Sequence, residues 1–124
     1  MLKVLLVDDE PFIIQGLKVL IDWEQEGYTI AGTASNGKEA YDFLKKESVD
    51  LIIADIQMPV MNGYDSTRHI RALERPDIKS MPIVAMSANA FAEDIKLCKE
   101  SGMNEHIAKP IDFGKVLEIL EKYL

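Results

Sequence analysis

Short apolar runs alternate along the chain with stretches in which apolar residues recur every three or four positions. The run Leu51 to Ala54 is apolar throughout, as suits a strand buried on both faces of a parallel sheet, and it stops at a carboxylate, Asp55. Beyond it, Pro59 and Asn62-Gly63 impose a loop, because proline fixes φ and an Asn-Gly pair tolerates positive φ. Asp55 alone reads in two ways: a cap for the next element, or an acid placed where open α/β sheets bind ligands.

The same alternation runs from end to end. Lys3 to Val7 predicts a first strand, which ends at Asp8-Asp9-Glu10. Pro11 then stands where a first helical turn tolerates it, and Ile13, Ile14, Leu17, Leu20 and Ile21 carry a helix to about Trp23. Gly27 breaks that helix, and Tyr28 to Ala34 reads as a second strand. Ser35-Asn36-Gly37 turns the chain, with Asn36 as N-cap of a helix bearing Ala40, Tyr41, Phe43 and Leu44. After the central strand come a helix from about Tyr64 to Leu73 and a polar loop, Glu74 to Ser80, holding Pro76. Pro82 to Met86 is a fourth strand, and Ala90 to Glu100 a helix closed by Gly102 at C′. Glu105 to Ala108 is a fifth strand, and Asp112 to Leu124 a last amphipathic helix. Five β-then-α units with short connections predict a parallel sheet with right-handed crossovers, helices on both faces, and hence a three-layer α/β/α sandwich. With no repeat or linker, residues 1–124 read as a single domain.

Composition narrows the picture only a little. The apolar share of 48% and charged share of 28% are those of an ordinary soluble domain. A net charge of -7 argues against direct nucleic-acid binding, which wants a basic face. Cys98 is the sole cysteine, so no internal disulfide can form, and an apolar helix face is its expected place. Leu2 to Val7 is too short for a membrane span and ends in acids, so a cytoplasmic protein without membrane association is expected.

The chemistry lies at the strand ends. Asp8 and Asp9 follow strand one, Asp55 strand three, Ser87 strand four and Lys109 strand five. Parallel strands point these ends one way, so the five positions converge on one crevice. Three adjacent carboxylates disfavour one another's charge unless a cation joins them. A hard divalent ion with oxygen ligands is implied, and Mg²⁺ suits so open a site; the Lys109 ammonium is the second cation.

Asp8-Asp9, Asp55 with Met58-Pro59 and Asn62-Gly63, Ser87-Ala88 and Lys109-Pro110 resemble the signature of response-regulator receiver domains of two-component signalling. The resemblance covers essentially the whole chain. It implies the flavodoxin-like (CheY-like) strand order 2-1-3-4-5 and makes Asp55 the phosphoacceptor. It implies Mg²⁺ held by Asp9, Asp55 and the backbone carbonyl of Gln57, with Asp8 reaching the metal through water. Ser87 and Lys109 would hold the phosphoryl oxygens. The implied partner is a sensor histidine kinase or phosphotransfer domain, and the implied activities are phosphorylation from its phosphohistidine and later hydrolysis of the acyl phosphate. A homodimer through the 90–124 face is a further expectation.

Two positions depart from the commonest receiver pattern. His106 stands where many receivers carry Tyr or Phe, and reads either as a switch residue, together with Ser87, or as a surface histidine at a sheet edge. Asn62 stands where Asp is frequent, and both suit the turn. The resemblance also divides: Leu20 to Trp23 with Asn36-Gly37 is similar to receivers joined to AraC-type DNA-binding regions, whereas Met81 to Ile111 is similar to those of hybrid histidine kinases. A flavodoxin-like cofactor binder would need a phosphate loop after strand one, where Asp8-Asp9-Glu10 would repel phosphate. A phosphohydrolase would need a second acid two residues beyond Asp55, where Gln57 stands. A degenerate docking receiver would have lost one of the five strand-end residues, and all are present.

Overall fold

The computed structural model describes residues 1–56, 61–87, 92–108 and 113–123. Five strands, β1 (Leu2–Val7), β2 (Tyr28–Ala34), β3 (Leu51–Asp55), β4 (Ile83–Ser87) and β5 (Glu105–Ala108), pair in parallel in the order β2-β1-β3-β4-β5. The helices are α1 (Pro11–Leu20), α2 (Gly37–Lys46), α3 (Gly63–Arg71), α4 (Pro76–Ser80), α5 (Ala92–Ser101) and α6 (Phe113–Tyr123). Both the three-layer class and the strand order are as expected.

Side chains that alternate along each strand enter two separate cores. Leu5, Val7, Ile52, Ala54, Ile83 and Ala85 pack with Ala40, Leu44, Ile70 and Cys98 on the side of α2, α3 and α5. Val4, Leu6, Leu51, Ile53, Val84 and Met86 pack with Ile14, Leu17, Val116 and Leu120 on the side of α1 and α6. Strands buried on both faces need this unbroken apolar run, which is why β1, β3 and β4 show so little polar alternation. Cys98 is buried on its helix, as expected.

Four elements differ from the sequence expectation. α1 stops at Leu20, because Ile21 is already extended (φ -114, ψ 128). Ile21 and Trp23 still reach the same core from irregular backbone, and the Trp23 indole N–H donates to the Leu17 carbonyl at 2.9 Å. Apolar spacing therefore ran past the helix end. The stretch read as a polar loop contains α4, whose Ile78 is fully buried under the sheet. Asn62 and Gly63 form no left-handed turn: Asn62 (φ -75) caps α3, its side chain accepting from the Asp65 amide at 2.9 Å. Finally, β1 and β2 shift register between Val4 and Leu5, leaving Ala31 as a bulge. The N-cap expected of Asn36 is present, accepting from the Glu39 amide at 2.8 Å.

Candidate functional site

All five strands deliver their carboxyl ends to one edge of the sheet. The β1 ladder continues one residue further, with the Asp8 amide donating to the Ala34 carbonyl at 3.0 Å. The chain then turns, and the Glu10 amide donates to Asp8 Oδ1 at 2.9 Å, an Asx-type contact that fixes the first acid. Asp8 is buried and Asp9 exposed. Asp55 is the last residue of β3 and is also buried. One carboxylate oxygen from each of Asp8, Asp9 and Asp55 falls within a 4.8 Å set. An all-oxygen set at that spacing is the donor chemistry of a hard divalent cation.

Ser87, buried at the end of β4, stands one strand over, where Asp55 pairs with Met86. His106 on β5 pairs with Ala85 and reaches Ser87, its Nε2 lying 3.1 Å from Ser87 Oγ. Of the remaining expected site residues, Gln57 and Lys109 lie outside the described residues, as do Ala88, Pro59 and Pro110.

Among the residues that position Asp55, Ser66 and Thr67 had no evident signal in the sequence, and Gly37 and Gly63 were read there only as turn and signature residues. The Gly63 amide donates to the Ile56 carbonyl at 2.8 Å, and a side chain at Gly63 would press within 2.6 Å of the Asp55 carbonyl oxygen. Gly37, at the start of α2, donates its amide to the Met61 carbonyl at 2.9 Å, and Ser66 Oγ donates to the Gly37 carbonyl at 2.8 Å. Thr67 Oγ1 donates to the Gly63 carbonyl at 2.7 Å. The far end of the loop after β3 is thus tied to α2 and to its own strand. Only tertiary contact shows that both glycines serve close approach.

Beside the acids a cavity of about 270 Å³ opens between α1 and the β2–α2 turn, lined by Asp8, Asp9, Lys18, Thr33, Ser35 and Glu39 among others. The Ser35 amide and hydroxyl both donate to the Glu39 carboxylate, at 3.0 and 2.8 Å, and hold it below the usual carboxylate range. Phe12 and Val19 project from α1 almost wholly exposed, at 88% and 80%. Among the described residues, no helix is long and apolar enough to cross a membrane.

Comparison with known proteins agrees with this geometry. The chain is 32% identical over 98% of its length to Probable histidine kinase 1 of Oryza sativa subsp. indica, spanning only 15% of that protein. The receiver domain of the sensor histidine kinase PA1611 from Pseudomonas aeruginosa PAO1 superposes with a TM-score of 0.85 at 31% identity, covering 98% of this chain and 96% of that one. That structure has a magnesium ion coordinated in its active site cleft. The Vibrio cholerae chemotaxis protein CheY4 superposes with a TM-score of 0.87 at 31% identity, covering 100% and 99%. The response regulator receiver domain family matches residues 4–121, and with the acid cluster at the strand ends this decides the matter: the chain belongs to that family and is a receiver domain of two-component signalling.

Proposed function

We propose that Asp55 accepts a phosphoryl group from the phosphohistidine of a sensor histidine kinase or phosphotransfer domain, and that the product changes the shape of the α5–β5–α6 face to control an output. The observation that carries this reading is the trio of carboxylate oxygens at the ends of β1 and β3. A carboxylate attacks phosphorus only if the negative oxygens it approaches are neutralised. Asp8, Asp9 and Asp55, with the Gln57 carbonyl by resemblance, would hold Mg²⁺. When bound, that ion supplies positive charge against the phosphoryl oxygens. Asp55 forms the new O–P bond as the P–N bond to the donor imidazole breaks, the electron pair leaving with the nitrogen. Ser87 donates a hydrogen bond to the transferred group, and Lys109, by resemblance, would supply the second cation. Later, water attacks the phosphorus, releasing phosphate and restoring the carboxylate; both steps are intrinsic activities of the domain.

Residues 1–124 form one receiver unit in this reading. A protein-borne donor must seat beside the crevice, and Phe12, exposed in the first turn of α1 just after the acids, offers an apolar side chain there. The net charge of -7 supports the absence of direct nucleic-acid binding, with contact to a second copy made through residues 90–124. We place this work in the cytoplasm, where an ATP-dependent kinase is charged. The likeness to a much longer kinase favours a second setting for the same chemistry, a phosphorelay in which the donor is a phosphotransfer domain.

Acetyl phosphate with Mg²⁺ tests the reading directly. Intact-mass spectrometry should find one added phosphoryl group on the wild type, none with EDTA and none on Asp55→Asn. Retention of the added mass by Asp55→Asn would overturn the assignment.

A further inference from the structure

A serine hydroxyl carries one proton and can donate one hydrogen bond at a time. Ser87 Oγ already has a ring nitrogen beside it, His106 Nε2 at 3.1 Å. The contact joins two neighbouring strands through a buried serine and a half-buried histidine, so water competes with it less than at the surface. The same histidine lines a cavity of about 260 Å³ on the outer face, with Ile95, Cys98, Lys99 and Glu105. His106 therefore connects the crevice of the acids to the surface beside α5.

A neutral imidazole has one N–H and one lone pair, and the tautomer decides which nitrogen holds each. With the lone pair on Nε2, Ser87 must donate to His106, and its proton is turned away from Asp55. With the proton on Nε2, His106 donates to Ser87 Oγ, and the hydroxyl can give its own proton to a second acceptor. A phosphoryl oxygen on Asp55 is such an acceptor, and it is the stronger one because it is charged.

We infer that His106 is a positioning residue for Ser87: when Asp55 carries a phosphoryl group, the Nε2–H of His106 donates to Ser87 Oγ and aims the hydroxyl proton at the phosphoryl oxygen. This rests on Asp55 as phosphoacceptor and Ser87 as its hydrogen-bond donor. Ser87 keeps its O–H bond throughout. In the ring, one proton moves from Nδ1 to Nε2 by way of water, so the imidazole stays neutral and no group gains or loses charge. The opposite ring nitrogen reverses its role at the same time, and phosphorylation becomes legible on β5 without a large displacement of the ring.

Long-range ¹H–¹⁵N spectra of the chain with Mg²⁺ and beryllofluoride test this, with His106→Gln identifying the signals against those of His69. Nε2 of His106 should show the protonated shift in the beryllofluoride state. An unprotonated Nε2 in that state overturns the inference. In parallel, His106→Phe should reduce the rate of Asp55 labelling by acetyl phosphate or shorten the phosphoryl lifetime, by about twofold to tenfold, the effect of one neutral hydrogen bond. His106→Gln, whose amide can donate, should recover part of the loss. On a Ser87→Ala background His106→Phe should do nothing more. An undiminished effect without Ser87 would show that His106 acts by packing alone. Mass spectrometry of the same samples separates the two readings: labelling absent from wild type defeats the phosphoacceptor assignment, whereas labelling with an unprotonated Nε2 defeats only the role of His106.

Discussion

Gly63 shows how one absent side chain sets the place of Asp55. Neither it nor Asn62 adopts the left-handed backbone that an Asn-Gly pair tolerates; the positive φ values among the described glycines belong to Gly27 (93°) and Gly102 (105°). What Gly63 supplies is room, since a Cβ there would stand 2.6 Å from the Asp55 carbonyl oxygen and 2.9 Å from the Ile56 Cα. Backbone atoms cannot swing aside as the end of a side chain can. Gly63→Ala is therefore expected to destabilise the fold by about 1–3 kcal/mol, as overpacking does, and to slow labelling of Asp55 by acetyl phosphate. Gly16 is the internal control: it lies within α1 with nothing near its missing Cβ. Gly16→Ala should instead stabilise by about 0.5–1 kcal/mol, because the unfolded chain loses freedom and the helix gains propensity. Thermal melts of the two variants should move in opposite directions, and a shared direction would mean that close approach does not explain Gly63. Residue types at the site were readable because strand ends and acids are local signals, whereas the reason for Gly63 depends on a backbone folded against it.

At the scale of elements, α4 marks where the pattern became silent. Five residues make no periodic window, and Pro76 signals a loop as readily as a first turn. Long-range partners decide the case: the Arg75 guanidinium pairs with Asp77 at 2.8 Å and reaches the Leu44 and Glu47 carbonyls of α2 and its cap. Arg71, half-buried at the end of α3, donates to the Ile78 carbonyl at 2.7 Å and to Gly102 and Asn104 beyond α5. The attachment of α6 to β5 was equally hidden, although its apolar face was plain. The Tyr123 hydroxyl donates to Glu105 Oε2 at 2.7 Å and Lys122 Nζ donates to the same oxygen at 2.9 Å. These bonds, Tyr123 first, lower the Glu105 pKa from its ordinary 4.5. A carboxylate whose folded value is lowered stabilises the fold above its unfolded value and loses that contribution as pH falls through the folded one. Glu105→Gln should thus be less stable than wild type near neutrality, and the gap should close as the pH drops below about 4.5. Urea melts carried from neutral pH into the acid range check this; a constant gap would mean that Glu105 acts through packing and not through its charge. Tyr123→Phe should cost about 1 kcal/mol at neutral pH, since Lys122 remains to partner the acid.

For the whole molecule, the layers and the parallel sheet followed from apolar runs alternating with helical spacing, but the strand order came with the family resemblance. Pattern fixes which strands are buried on both sides and leaves open which are neighbours; the bulge at Ala31 was invisible because edge strands tolerate it. The convergence of Asp8, Asp9 and Asp55 was legible for the opposite reason: parallel strands carry their ends to one edge whatever their order. Unequal burial was not, and it selects the most informative variant. Asp8 and Asp55 are buried within the fold, whereas Asp9 is exposed, so Asp9→Ala removes charge with the least loss of packing. In the absence of metal, three carboxylates at this spacing repel, and Asp9→Ala should raise the melting temperature above that of wild type. Added Mg²⁺ should raise the wild-type value further, because an ion bound only by the native state stabilises it by RT ln(1 + [Mg²⁺]/Kd), roughly 2.7 kcal/mol at one hundred times Kd. EDTA should reverse that rise, and Asp9→Ala should respond to Mg²⁺ much less than wild type. The two melts therefore cross: the variant is the more stable in EDTA and the wild type gains on it as Mg²⁺ is added. A wild-type melt indifferent to millimolar Mg²⁺ would count against a metal site at the ends of β1 and β3. A variant no more stable than wild type in EDTA would show that solvent already screens the exposed acid.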